Sequence, residues 1–197
     1  MPVTNEMVKQ LRETTGAGVM DCKKALDACG GDMSRAEEIL REKAAAAAAK
    51  KVERVARQGL IEGYVHMGKA AALVELSCET DFVARLPEFK GLAHDLAMQV
   101  VASHPKYVKP EDVPADVLEN EKKEYRAQLV AQKKPEAMIE KIMEGKLAKF
   151  YSETCLLRQP FIKDEEKTVQ AVISEQVART GENIVLRRFA RMELNEA

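Results

Sequence analysis

A chain of 197 residues is long enough for one good core and a small satellite unit. Charged residues make up 32% of it while the formal net charge is only −1, so there is no bulk electrostatic grip on nucleic acid or on an anionic membrane. Trp is absent and aromatics are 5%, which leaves few platforms for stacking on single-stranded nucleic acid, and no apolar run reaches the length of a bilayer span.

Residues 4 to about 50 are expected to form a compact three-helix unit. The first helix runs from a Thr4 cap to about Thr14, with Met7, Val8 and Leu11 on one face, and Gly16-Ala17-Gly18 breaks it. The second, residues 19–29, buries Met20, Ala25, Leu26 and Cys29 and stops at Gly30-Gly31. The third begins at Asp32 or at Ser34, where Ser34-x-x-Glu37 has capping-box spacing, and buries Ala36, Ile39 and Leu40. Residues 44–49 are all alanine, the best helix former repeated within the same helix. Residues 51–58 are basic and polar and read as a solvated linker.

From Gly59 the hydrophobic period switches to two. Residues 60–67 and 70–78, joined at Gly68-Lys69, form a β-hairpin whose second strand sets Ala72, Val74, Leu76 and Cys78 on one face. Helices fill the next interval. One carries Phe89, Leu92, Ala93, Leu96, Ala97, Val100 and Val101 up to Pro105; a charged one runs from Asp116 to about Lys133. Another runs from Pro135 to about Leu157 with Met138, Ile139, Ile142, Met143, Leu147 and Phe150 aligned. A last helix, capped at Thr168, carries Val169, Val172, Ile173 and Val177. The closing strand, residues 184–194, places Ile184, Leu186, Ala190, Met192 and Leu194 on one face, interrupted by Arg188. The expected fold is α+β: a three-helix module at 1–50, a linker at 51–58, and a core at 59–197 with a small three-stranded antiparallel sheet packed by helices.

The segment Cys78-Glu79-Thr80-Asp81-Phe82-Val83-Ala84-Arg85 closes a strand and opens a helix. Thr80 or Asp81 can cap that helix, which leaves an acid and an aromatic at the corner. On residues alone Phe82 is more often a core anchor than a probe aimed at a partner, and Asp81 is then only an N-cap.

The sequence offers little catalytic chemistry. There is no Walker-type loop, no G-x-G-x-x-G and no G-x-S-x-G. His66, His94 and His104 are isolated in sequence from any Ser or Cys nucleophile, and no carboxylate pair stands out for acid–base work. Cys22, Cys29, Cys78 and Cys155 lack CxxC spacing and read as reduced, mostly buried residues of a cytosolic protein, with no zinc-ligand spacing nearby. The N-terminus shows no secretory signal. A binding or regulatory protein without metal or cofactor is favoured over an enzyme.

Several motifs then converge on one family. Residues 11–26, Leu-Arg-Glu-Thr-Thr-Gly-Ala-Gly-Val-Met-Asp-Cys-Lys-Lys-Ala-Leu, resemble the N-terminal signature of bacterial elongation factor Ts. Cys78 to Arg85 is similar to that family's second signature, Leu156-Leu157-Arg158-Gln159-Pro160-Phe161-Ile162-Lys163-Asp164 to a third match, and Gly181-Glu182-Asn183-Ile184 to a fourth. They occur in family order along essentially the whole chain.

The resemblance implies a guanine nucleotide exchange factor for elongation factor Tu, met in its GDP-bound and nucleotide-free states, with no direct contact to nucleic acid or membrane. It implies that the N-terminal module is ubiquitin-associated-like and docks on the GTPase through Arg12, Met20 and Lys23. Within the segment Thr80, Asp81, Phe82 and Val83, the Asp81–Phe82 pair is implied to intrude near the nucleotide's Mg²⁺. Longer members carry a duplicated core, so this short form implies a homodimer, without a cysteine in the terminal strand to link it. The resemblance also implies that a histidine many members use toward the partner is replaced here by Gln99, which hydrogen-bonds but cannot become cationic. The competing reading is a non-catalytic adaptor whose ubiquitin-associated-like module binds other proteins while the core dimerises.

Overall fold

The structure, a computed structural model, describes residues 3–132 and 135–195. Three helices come first: α1 (Asn5–Thr15), α2 (Val19–Ala28) and α3 (Met33–Ala49). A hairpin follows, β1 (Gln58–His66) and β2 (Ala70–Cys78), then a short helix α4 (Asp81–Arg85) and α5 (Pro87–Ser103). Next are α6 (Ala115–Ala131), α7 (Glu136–Thr154), β3 (Pro160–Phe161), β4 (Asp164–Thr168), α8 (Val169–Thr180) and β5 (Val185–Glu193). Lys133, the expected end of the sixth helix, lies outside the described residues. The main sheet has the order β1-β2-β5 and is antiparallel, so the expected α+β class holds.

Each N-terminal helix starts and stops for a local reason. The Thr4 hydroxyl accepts the Met7 N–H at 3.3 Å and opens α1. Gly16 closes it in the left-handed region at φ 66°, donating to the Arg12 carbonyl at 2.7 Å. Asp32, not Ser34, caps α3 by accepting the Arg35 N–H at 3.1 Å. The carboxylate precedes Ser34 and takes the capping role first, so the Ser34–Glu37 box does not form and Ser34 sits inside the helix.

The module's core comprises Val8, Leu11, Cys22, Ala25, Leu26, Ala36 and Leu40. Two expected members are corrected. Met20 is 63% exposed, because it lies about 160° around α2 from Cys22. Ile39 is 36% exposed, at the margin of the stripe that Ala36 and Leu40 define. Cys29, at the helix end, is only half-buried.

The chain forms two compact units, Met1–Glu62 with Glu75–His94 and Gln170–Arg187, and Gly63–Val74 with Asp95–Val169 and Arg188–Ala197. In the first, Arg179 of α8 donates to the Thr15 carbonyl through Nε at 3.1 Å and Nη2 at 2.7 Å, and Arg187 donates to the Ala56 carbonyl at 2.7 Å. Gly59, the second residue of β1, has φ 145°; an added Cβ would stand 2.7 Å from Ser77 Cα, so only glycine permits that approach. In the second unit, Val113, Phe150 and Cys155 form a cluster with Tyr107, Val117, Leu118 and Tyr151 packed against it.

Strand β2 buries Ala72, Val74, Leu76 and Cys78 as its alternation demands. The closing strand is only partly as expected. Ile184 and Leu186 are buried, but Met192 is 75% and Leu194 64% exposed. Period-two patterning tells which residues share a face, and it is silent on how far the cover over that face extends. The two-stranded sheet of β3 and β4 was not expected at all; Pro160 pairs with Thr168 and Phe161 with Asp164 across an irregular register.

Candidate functional site

The corner after β2 is built from the backbone outward. Thr80 is extended (φ −124°, ψ 156°) and caps α4, its hydroxyl accepting the Val83 N–H at 3.5 Å. Leu86, extended ahead of Pro87, ends this helix and lets α5 begin. Val83 and Ala84 are buried and root the short helix. Phe82 lies on its other side and is 78% exposed. An aromatic ring held in solvent by a buried neighbour is not a core anchor. Beside it, Asp81 accepts from Arg85 Nη2 at 2.7 Å, one helical turn on.

Glutamates from two segments cross beneath the corner. Glu182 Oε2 accepts the backbone N–H of Glu79 at 3.1 Å and of Thr80 at 3.0 Å, while its Oε1 accepts the Thr80 hydroxyl at 2.6 Å. In return, Glu79 Oε1 accepts the Asn183 N–H at 2.6 Å. Cys78 is fully buried below, its thiol bonded to the Thr80 carbonyl at 3.1 Å. Burial pushes that thiol up to about 11, and the Glu182 carboxylate pushes in the same direction. Cys78 is therefore neutral near pH 7 and packs rather than reacts.

Met20 and Lys23 are exposed on α2 at a spacing of three, which puts them on one face. Arg12, in the last turn of α1, is also exposed and lines a cavity of about 420 Å³ with Gly18, Asp21, Arg41 and Arg179. Gln99 faces inward rather than toward a partner. It is fully buried, and its Nε2 donates to Ser103 Oγ at 2.9 Å, Gln159 Oε1 at 3.3 Å and the Pro160 carbonyl at 3.1 Å. Its Oε1 accepts the Ile162 N–H at 2.7 Å. The side chain is committed to holding the 159–162 segment against α5, inside the protein.

Glu182 and Asn183 are what residue-by-residue reading missed. Their sequence signal was only a turn glycine followed by a family motif, and nothing in its spacing points to residues about a hundred positions earlier.

A three-helix module with Met20 and Lys23 exposed on one helix face is thus followed by a core that holds an acid–aromatic pair in solvent, an architecture of contact surfaces. The elongation factor TS family model matches residues 5–177. Over 196 residues the chain is 53% identical to elongation factor Ts of Thermodesulfovibrio yellowstonii, covering 100% of this chain and 98% of that protein. It is 55% identical to the protein of the same name from Desulforamulus reducens, over 98% of this chain and 90% of the relative. With that from Moorella thermoacetica the identity is again 55%, over 96% and 94%. The chain belongs to the elongation factor Ts family. Its role is nucleotide exchange in translation elongation. Among the described residues no helix is long and apolar enough to cross a membrane.

Proposed function

We propose that this chain exchanges nucleotide by using Asp81 and Phe82 as a lever on elongation factor Tu·GDP, while Arg12, Met20 and Lys23 hold the partner. The carrying observation is the 78% exposure of Phe82 on a helix whose next residue, Val83, is buried. A ring so mounted delivers force to whatever packs on it, because its base cannot yield. A P-loop GTPase grips GDP through backbone N–H groups, a lysine and a Mg²⁺ that bridges phosphate oxygens to protein ligands. Inserting Phe82 into that domain shifts the elements that place the metal, and losing Mg²⁺ removes the largest positive charge holding the diphosphate. The carboxylate of Asp81, arriving with the ring, adds repulsion toward phosphate. Thr80 caps the helix and Val83 roots it.

Coupling of this kind is reciprocal: the factor weakens GDP binding by the ratio by which GDP weakens binding of the factor. No covalent step is required, so the chain acts without being an enzyme, and its place is the cytoplasm where elongation occurs. The adaptor reading is not favoured, since the family match extends through the core rather than stopping at the helical module. Adding the chain to elongation factor Tu loaded with a fluorescent GDP, with unlabelled nucleotide as chase, is expected to accelerate release. An unaltered release rate overturns the reading.

A second copy completes the assembly in this proposal. The second unit leaves Val65, Leu73 and Met192 exposed on the strands and Met67 exposed in the hairpin turn, and exposed apolar side chains favour burial against another chain. Light scattering is expected to return a dimer mass; a monomer at micromolar concentration overturns this part.

A further inference from the structure

We infer that Glu182 and Asn183 are positioning residues for nucleotide exchange, acting through Thr80 and Glu79 to aim the Asp81–Phe82 helix without touching the partner themselves. The inference rests on the lever reading above and adds to it the part of the chain that sets the lever's angle.

Helix α4 has five residues, too few to hold a helical conformation or a direction by itself. Its side-chain cap is the Thr80 hydroxyl, which accepts the Val83 N–H at 3.5 Å. A hydroxyl rotates freely, and it caps well only when its hydrogen is turned away from the donor it must accept from. The Glu182 carboxylate imposes that orientation. Oε1 takes the Thr80 hydroxyl hydrogen at 2.6 Å, which turns the oxygen's lone pairs toward Val83. Oε2 then fixes the two backbone N–H groups ahead of the helix, Glu79 at 3.1 Å and Thr80 at 3.0 Å. Three donors converge on one carboxylate, and such charge-assisted bonds are about twice as strong as neutral ones.

The carboxylate is itself delivered by a fixed turn. Gly181, at φ 78°, donates to the Val177 carbonyl at 3.0 Å and closes α8, so Glu182 leaves the helix end in a set direction. Asn183 prevents the turn from rotating. Its N–H is bound by Glu79 at 2.6 Å, and its buried amide donates to the Val52 carbonyl at 3.3 Å and the Arg54 carbonyl at 2.7 Å. Arg54 in turn stands 3.6 Å from Glu79. The strand that ends at Cys78, the helix end at Gly181 and the segment after α3 thus meet at one polar knot directly under the lever. Each glutamate accepts a backbone N–H from the other's segment, so neither segment can move without the other.

Leu76, Cys78, Val83 and Ala84 are buried by apolar packing; of the bonds to Glu182 the two from Thr80 are exposed and the one from the Glu79 N–H is part-buried. Loss of Glu182 therefore loosens the aim of α4 more than it weakens the fold.

The test uses the full chain and its Glu182→Ala, Glu182→Gln, Phe82→Ala and Glu182→Ala/Phe82→Ala variants, read as GDP release from elongation factor Tu against factor concentration. Glu182→Ala removes three bonds and is expected to lower the maximal release rate about tenfold, the equivalent of about one charge-assisted bond, with the half-saturating concentration unchanged. Glu182→Gln keeps the shape and one acceptor oxygen and is expected to recover part of that rate; should the alanine variant fail to fold, Glu182→Asp, whose carboxylate stops one methylene short of the Thr80 hydroxyl, stands in for it. On the Phe82→Ala background, removing Glu182 is expected to cost much less than in the parent, because only Asp81 remains to be aimed. A merely structural role predicts otherwise: both kinetic parameters worsen and the two substitutions add. Additivity, or a normal rate for Glu182→Ala beside a slowed Phe82→Ala, overturns the positioning role and leaves the lever standing. Normal rates for both single variants overturn the two together.

Discussion

Replacing Phe82 with alanine is expected to slow stimulated GDP release by about tenfold or more, since losing one buried hot-spot contact in a complex costs on the order of 2 kcal/mol. The free protein should hardly notice the change. The ring is 78% exposed, and surface substitutions away from special features stay within about 0.5 kcal/mol. Val83 and Ala84, which root the helix, are untouched, as is the Thr80 cap. The defect should therefore appear in the maximal release rate, with thermal melting of the isolated chain superimposed on that of the parent. Stopped-flow release and a melting curve on the same preparation decide it. A parent-like rate at an unchanged melting temperature refutes the lever, because the side chain that carries it would be gone without consequence.

The same ring shows where the sequence was legible and where it was not. Alternation placed Ala72, Val74, Leu76 and Cys78 on the buried face of β2, and each of them is buried. Strand period and helix caps are local properties, written in residues a few positions apart. The direction of Phe82 is not local. Its helix is too short to have a periodic face, and solvent or core is decided by what packs against Val83. From residue type alone the core was the better expectation, and only the family resemblance pointed the other way.

Other misses share that cause. Met20 was drawn toward the apolar stripe of α2 by its chemistry, although a separation of two residues from Cys22 puts it on the far side. Strand β4 is Asp-Glu-Glu-Lys-Thr, a charged run without alternation, so no pattern announced it. Gln99 looked like a weakened partner contact because its position in the family suggested one. Its four hydrogen bonds inside the fold belong to tertiary structure, which no spacing in the chain encodes.

The docking face yields the other large effect. A chain carrying Met20→Asp together with Arg12→Glu is expected to bind elongation factor Tu more weakly by about thirtyfold or more, which corresponds to about 2 kcal/mol. Its release rate at saturating concentration should stay near that of the parent. Met20 is 63% exposed and Arg12 is exposed, so neither change enters the core of Leu11, Cys22, Ala25 and Leu26, and the module should melt as before. Reversing the charge at Arg12 should also lower the association rate and alter its dependence on salt, as rim charges do, while placing a carboxylate at Met20 should speed dissociation by leaving a charge in a desolvated contact. Measuring association and dissociation separately resolves the two contributions. The contrast with Phe82→Ala is the discriminating feature: one variant is starved of partner yet competent once bound, the other bound yet slow. Binding curves that superimpose on the parent would mean that α2 presents its Met–Lys face to solvent alone, and the division of labour between module and corner would fall with them.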